Sequence, residues 1–234
     1  MKTVTLIVIL AGCLLLSGCV FVKFKDSGFK TYRQVAGNGV TAEKSFGVGS
    51  FSRLDLFVPA DVEYTISDEC ALTVRMDENL IDSLTVSVED GTLKIGSTFP
   101  LKNFKKLEIR LSSPSLERLY CRGAVDFDAE GTLRGEEFSL QADGAADVNI
   151  RNLDVKKADF LVNGAADLNV CLADAESVSV IINGAGDIDL SGKTQKVFVT
   201  ANGAGDVDLT RLDYETLSKE VHGVGSVKTG KKKI

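Results

Sequence analysis

The sequence contains no tryptophan, a single histidine and few aromatic side chains, which make up 7% of its 234 residues. The lack of tryptophan disfavours a carbohydrate site built on indole platforms. The lone histidine excludes multi-histidine metal sites and leaves little basis for a histidine-based catalytic triad. Acidic residues outnumber basic ones, and the resulting net charge of −6 argues against a nucleic-acid partner.

What the sequence does contain is a repeat of about 20 residues. Four copies of the pattern Asp/Asn-Gly-Ala-Ala/Gly-Asp begin at Asp143, Asn163, Asn183 and Asn202, and weaker copies begin at Arg122 and His222. A constant period of this length is typical of a stacked repeat architecture. The glycines that lead the six copies are Gly123, Gly144, Gly164, Gly184, Gly203 and Gly223.

Apolar residues stand two and four positions before each of the first five glycines and four and six positions after it, which is the period of a β-strand. In one copy these residues are Phe160, Val162, Leu168 and Val170. A 20-residue unit is too short for a strand-helix-strand motif and has no helical apolar stripe. The sequence therefore predicts an all-β, single-domain parallel β-helix with rungs about 4.8 Å apart. We expect each glycine to form a corner, where it allows positive φ and close stacking.

The N-terminal half also predicts strands, but with less regular spacing. The run from Leu84 to Ile95 predicts a hairpin with Asp90-Gly91 at its turn, and 79–83 is consistent with one helical turn or a loop. The stretch Phe46–Phe51 resembles 222–227 and suggests a degenerate first copy. We expect this half to close one end of the solenoid, because a bare terminal rung invites aggregation.

The first residues have the features of a targeting segment. Lys2 precedes an apolar run from Val4 to Leu16, which is too short to span a bilayer and suits a signal peptide. The sequence Leu-Ser-Gly before Cys19 resembles a bacterial lipobox, although an ordinary signal peptide with a chance cysteine is the alternative. The predicted organisation is a lipoprotein signal peptide (1–18), a lipidated Cys19 leading a tether (19–45), the β domain (46–227) and a basic tail (228–234).

Taken together, these features resemble the head GIN domain family of auto-transporter adhesins, which is common among secreted lipoproteins of Bacteroidetes. The matching elements are the Asn-Gly-Ala-Gly-Asp repeats, the stretch 77–81, the hairpin at 88–95 and the segment 115–119 that leads into the first corner. The resemblance covers about residues 46–227. It implies a β-helical domain at the cell envelope, with placement at the outer membrane, and it supplies no catalytic residues.

An aspartate stands three positions after each of the first five corner glycines, and these carboxylates should stack. Neighbouring carboxylates repel one another, so something must offset the repulsion. Either weakly bound Ca²⁺ does so, or each carboxylate accepts hydrogen bonds from the backbone of its own corner, and we expect the second. No metal site is assigned with certainty and no cofactor is expected. The residues of this acidic column are Asp126, Asp147, Asp167, Asp187 and Asp206.

Catalysis finds little support, since the carboxylates recur on every rung instead of marking one site. His222 occupies a slot held by asparagine in other copies, so it is expected to be exposed. Cys121 falls in an inward column, too far from Cys171 for a disulfide, whereas a bridge to Cys70 stays open. The sequence predicts a lipid-anchored, non-enzymatic module that binds a surface glycan or protein. The alternatives are a carbohydrate-active enzyme on a β-helix and a self-associating structural lipoprotein.

Overall fold

The computed structural model describes residues 35–230. Within them the chain is all β apart from one four-residue helical turn, and no helix there is long and apolar enough to cross a membrane. The signal peptide, Cys19 and the last four residues of the basic tail lie outside the described residues. The elements are β1 (Thr41–Phe46), β2 (Arg53–Leu56), β3 (Ala60–Ile66), β4 (Ala71–Asp77), α1 (Glu78–Ile81), β5 (Leu84–Glu89), β6 (Thr92–Ser97), β7 (Glu108–Ser113), β8 (Arg118–Cys121), β9 (Ala124–Glu130), β10 (Leu133–Ala142), β11 (Ala145–Val162), β12 (Ala165–Ile182), β13 (Ile188–Ala201), β14 (Val207–Val221) and β15 (Val227–Thr229).

The predicted β-solenoid is confirmed for the C-terminal part of the chain. Strands β10 to β14 stack in parallel, and residues that pair on adjacent strands are about one repeat apart in the sequence. Phe160, for example, pairs with Val180, and Val180 pairs with Val199. The long strands run from just after one corner to just before the next. Residues alternate between the core and solvent, and the inward columns are almost completely buried; Val148, Leu168 and Ile188, for example, are at most 2% exposed. At about 1.5–3 kcal/mol for each large apolar side chain, these columns supply the stability of the stack.

The corner glycines stack directly on one another, as predicted. A Cβ placed on Gly164 would lie 1.9 Å from the carbonyl oxygen of Gly144, and one on Gly184 would lie 1.8 Å from that of Gly164. Positive φ and close stacking were the two predicted reasons for glycine at the corners, and the structure supports only close stacking. None of the six corner glycines has positive φ, so it is the close approach of the rungs that excludes a side chain.

The N-terminal half contributes two further rungs and a cap. Strands β2 and β3 lie parallel to β8 and β9, and β6 and β7 add the next layer outward. Beyond that layer the pairing becomes antiparallel: β4 and then β1 extend from β7, and β5 extends from β6. The predicted closure of this end is confirmed, and antiparallel strands provide it.

Three details of the N-terminal prediction have clear outcomes. The hairpin of β5 and β6 is confirmed, with positive φ at both Asp90 and Gly91 as a tight hairpin turn requires. The predicted first copy at 46–51 is wrong: Gly47 and Gly49 have open space around them, and the corner beneath Gly123 is formed by Val58 and Pro59 instead. Strand β1 begins at Thr41, inside the segment predicted as a tether.

The opposite end of the solenoid is covered less completely. Strand β15 pairs only with Val207–Leu209, which leaves the rest of β14 as an edge strand among the described residues. Inward positions on this last strand are held by Leu217, Lys219 and Val221, in register with the buried Val197, Val199 and Ala201. Lys219 is exposed at this edge, and a lysine in register with a core column discourages edge-to-edge strand pairing.

Candidate functional site

The residues directly before the corner glycines form a hydrogen-bonded ladder on the solvent side of the strands. The Nδ2 of Asn163 donates to Asp143 Oδ1 over 2.8 Å. Asn183 donates to Asn163 Oδ1 and Asn202 to Asn183 Oδ1, each over 2.9 Å. We call Asp143, Asn163, Asn183 and Asn202 the amide ladder. All four are exposed, and each asparagine keeps one N–H and free lone pairs directed at solvent.

The ladder ends on a carboxylate that is held by three donors. Tyr120 donates its hydroxyl to Asp143 Oδ2 over 2.6 Å, and Gln141 Nε2 donates to the same carboxylate over 3.0 Å. These hydrogen bonds, that from Tyr120 foremost, lower the pKa of Asp143 below its usual value. The pKa of Tyr120 is raised because its proton is shared with the carboxylate. The Asp143 end of the ladder is therefore rigid and negatively charged at neutral pH.

Aromatic and aliphatic side chains flank the ladder. The ring of Phe57 packs edge to face against the ring of Tyr120, with the ring centroids 5.8 Å apart. The side chain of Phe57 is exposed to solvent. Ile181, two residues before the ladder position Asn183, is 37% exposed, and Phe198, four residues before Asn202, is 48% exposed. We call this surface, together with the ladder, the amide face. Sequence reasoning recognised the residues before each glycine as polar but missed Phe57, Tyr120 and Phe198, which do not recur from copy to copy.

The acidic column lies on the other side of the corner. Asp126, Asp147 and Asp167 occupy paired positions on β9, β11 and β12. The prediction that each carboxylate accepts hydrogen bonds from its own corner is wrong: those that accept a backbone hydrogen bond accept it from the following rung. Asp167 Oδ1 accepts the backbone N–H of Asp187 over 3.1 Å, and Asp187 Oδ1 accepts that of Asp206 over 3.4 Å.

The two ends of the acidic column differ in their surroundings. Asp206 accepts hydrogen bonds from the hydroxyl and backbone of Ser226 and pairs with Lys228 at 3.2 Å, which lowers its pKa. Asp126 and Asp147 accept no hydrogen bond from the residues that the structure describes. Partial burial and then the neighbouring carboxylates raise the pKa of Asp147. These two carboxylates border a groove of about 360 Å³ whose floor consists of small side chains.

Comparison with known proteins places the chain in a family. The family described as "Putative auto-transporter adhesin, head GIN domain" matches residues 50–233. This protein belongs to the head GIN domain family. The comparison with curated proteins gives no match.

Three solved structures share this fold. A "putative adhesin" of Parabacteroides distasonis is 24% identical, with a TM-score of 0.77 over 84% of each chain. A "putative adhesin" of Bacteroides fragilis is 19% identical, with a TM-score of 0.60 over 83% of this chain and 99% of the other. A "putative lipid binding protein", also of Parabacteroides distasonis, is 20% identical with a TM-score of 0.61 over 85% of this chain and all of the other. At these identities the likeness establishes a shared fold.

A second depression in the head GIN domain, of about 430 Å³, gathers acids from several rungs. Its Glu136 and Glu137 pair with Lys156 and Lys157 of the next rung at 2.6 and 3.2 Å. Glu117 accepts the hydroxyl of Ser52 over 3.0 Å. Three of the four acids that line the depression are therefore engaged with neighbouring side chains, and the fourth is Asp159.

The remaining candidates do not converge on a site. Within residues 35–230, no group of three or more His, Cys, Asp or Glu side chains is placed to hold a metal ion. His222 is exposed at its corner, as predicted, 3.6 Å from Glu220. Cys70, Cys121 and Cys171 are all free thiols, and burial raises the pKa of Cys121 to about 12. Among the described residues, the amide face and the groove beside the acidic column are the surfaces available to a ligand.

Proposed function

We propose that this protein is a non-catalytic, adhesin-like binding module held at the bacterial cell envelope by a lipid on Cys19. The observation that carries the proposal is the amide face, a flat and rigid array of hydrogen-bonding groups beside exposed aromatic rings. The membership of the family supports the adhesive part of the proposal, and the sequence before Cys19 supports the anchor.

The amide face suits an external ligand because its groups are already fixed in place. Each amide of the ladder is held by its neighbour, so binding costs little side-chain entropy. Asn163 and Asn183 still offer one N–H each at intervals of about 4.8 Å, the rung spacing. The hydroxyl groups of a glycan and the polar groups of a protein strand can both use such an array. The acidic net charge makes nucleic acid an unsuitable partner.

Binding is tested with arrays of glycans and extracellular-matrix proteins, probed with and without calcium. The matched variants are Asn183→Ala, which interrupts the amide ladder, and Asn169→Ala, which removes an equally exposed asparagine from the acidic side of the same rung. We expect the first to weaken binding of any ligand found and the second to leave it unchanged. Equal effects of both variants would place the binding surface elsewhere, and no binding across the array would contradict an adhesive role.

The anchor is tested separately in a bacterial host. The full chain is expected to incorporate labelled fatty acid and to partition into the detergent phase, whereas Cys19→Ser is expected to do neither. Since a single acyl chain binds a membrane weakly, stable partitioning also reports on how many chains are attached. Unlabelled protein in the aqueous phase would leave an ordinary secreted domain as the correct interpretation. Fractionation of the envelope then tests the expected outer-membrane location.

A further inference from the structure

Four Asn-Gly dipeptides occur in the sequence, and three of them are corners of the amide ladder. They are Asn38-Gly39, Asn163-Gly164, Asn183-Gly184 and Asn202-Gly203. This dipeptide is chemically labile because glycine has no side chain to hinder its backbone nitrogen from approaching the preceding amide carbon. Asparagine is accordingly one of the thermolabile residues of proteins.

The reaction is an intramolecular transfer followed by hydrolysis. The glycine nitrogen attacks Cγ of the asparagine, and a new C–N bond closes a five-membered succinimide. The Cγ–Nδ2 bond breaks, and ammonia leaves with the proton that the glycine nitrogen loses. Water then opens the ring at either carbonyl and gives an aspartate or its iso-linked form. The side-chain amide must be free to rotate toward the glycine nitrogen for the first step to occur.

Three of the four asparagines are held at both ends of the amide. Asn38 donates to Glu78 over 3.0 Å and accepts the N–H of Val40 over 3.0 Å. Asn163 and Asn183 each donate to the preceding rung and accept from the following one. The attacking nitrogen is engaged as well at two of these sites: Gly39 donates to Asp77, and Gly164 donates to Ala142 over 3.1 Å.

Asn202 is held at one end only. Its Nδ2 donates to Asn183, but among residues 35–230 its Oδ1 accepts no hydrogen bond and the N–H of Gly203 has no acceptor. His222 takes the next place in the column and supplies no donor to it there. We propose that Asn202 is the entry point for deamidation of the amide ladder, and that the modification then advances from rung to rung toward Asp143.

The order follows from the hydrogen bonds. An aspartate at 202 cannot donate to the oxygen of Asn183, so Asn183 becomes the free end of the ladder. Each retained hydrogen bond slows the reaction by about fivefold, the rate equivalent of about 1 kcal/mol. Every step adds one negative charge to the amide face, and each step after the first adds it beside the carboxylate that the previous step formed. The binding surface thus changes from amide to acid in a fixed direction as the protein ages.

The experiment follows each site by peptide mass spectrometry while the folded full chain is held at mildly alkaline pH. Trypsin separates Asn202 from the other two ladder residues, and cleavage after Glu176 separates Asn163 from Asn183. We expect Asn202 to react about fivefold faster than Asn183, and Asn163 and Asn38 to be slowest. In urea the four dipeptides are expected to react at similar rates, since the structure that distinguishes them is lost.

Two variants test the propagation. Asn202→Asp should raise the rate at Asn183 about fivefold, whereas Asn169→Asp, which adds the same charge outside the ladder, should leave it unchanged. The proposal is overturned if Asn163, Asn183 or Asn38 reacts in the folded wild-type chain as fast as Asn202. That comparison needs no variant, so it stands even if Asn202→Asp fails to fold. An unchanged rate at Asn183 in a folded Asn202→Asp chain would overturn the propagation.

Discussion

Replacing a central corner glycine by alanine should damage the solenoid severely. A Cβ on Gly164 would lie 1.9 Å from the carbonyl oxygen of Gly144, and real Cβ atoms essentially never approach closer than 3.0 Å. The same carbonyl accepts the N–H of Ala165 over 3.0 Å. The two rungs must therefore part by more than 1 Å at the corner, which breaks that hydrogen bond and strains its neighbours.

The cost of Gly164→Ala can be assembled from these contacts. Two backbone hydrogen bonds at about 1 kcal/mol each, together with about 1–3 kcal/mol for overpacking, give about 3–5 kcal/mol. That is a large share of the roughly 5–15 kcal/mol by which domains are stable. Urea unfolding followed by circular dichroism measures the loss as a shift of the midpoint. Gly223→Ala has an even closer contact, 1.7 Å, but lies on the last corner, where the rung can move outward; we expect a smaller loss there.

Gly49→Ala is the matched control, because it makes the same chemical change where nothing lies within 4 Å of the new Cβ. It should be neutral or slightly stabilising, since alanine restricts the unfolded chain. If Gly164→Ala and Gly49→Ala unfolded at the same urea concentration, close stacking of the corners could not be the reason for glycine in the repeat.

The other predictions concern the acidic column and the open edge. Asp147→Asn should stabilise the fold at neutral pH by about 1 kcal/mol, because two neighbouring carboxylates about 4.8 Å away repel by about 0.9 kcal/mol each in water before salt screening. Asp206→Asn should lower the melting temperature, because the pairing with Lys228 is lost. Both effects should fade in acid, but over different pH ranges. The raised pKa of Asp147 makes its ionisation a cost that is fully present above that pKa and is lost as the pH falls from it to the ordinary value of 3.8. The lowered pKa of Asp206 makes its ionisation a benefit that is present above 3.8 and is lost as the pH falls through the lowered pKa. Changes of the same sign for the two variants would contradict this account. Lys219→Leu should promote end-to-end association in light scattering, whereas Lys196→Leu, on an outward position, should not; a monomeric Lys219→Leu chain would refute the gatekeeping role.

The repeat could be predicted from the sequence because its constraints are local and recur. Apolar alternation on both sides of Gly144 or Gly184 fixes which face is buried, and a period of about 20 residues fixes which residues stack. The order of the N-terminal rungs could not be predicted in this way. Strands β2 and β3 turn at Pro59, with no glycine to mark a corner. The layer outside them turns through the longer connection 98–107.

The candidate site was predicted in part. The column of acidic residues and the exposure of His222 follow from the period alone, because outward positions are set by the pleat. The hydrogen-bond partners do not follow, since they depend on where each strand begins. Tyr120 was missed because its column holds Gln141 in the next copy and no other aromatic ring. Phe57 was missed because it lies in the less regular N-terminal half, where no glycine marks the corner. A comparison of the copies identifies the residues that recur, whereas the binding surface also includes residues that do not recur.

A single alanine-to-glycine change between copies accounts for the two kinds of acidic residue. Where the corner reads Gly-Ala-Ala, the strand starts at Ala145 or Ala165, and the aspartate that follows lies within the β ladder. Where it reads Gly-Ala-Gly, the strands start at Ile188 and Val207, so Asp187 and Asp206 precede them.

Because Asp187 and Asp206 lie outside the paired strands, their backbone N–H groups are free to donate to the carboxylate of the preceding rung. Asparagine needs no such arrangement, because an amide is both donor and acceptor and a column of amides satisfies itself. An ionised carboxylate can only accept hydrogen bonds, so a column of aspartates needs backbone N–H groups that are not already used in strand pairing. The second glycine of the corner releases them, which is why the column is satisfied at its Gly-Ala-Gly end and repulsive at Asp126 and Asp147.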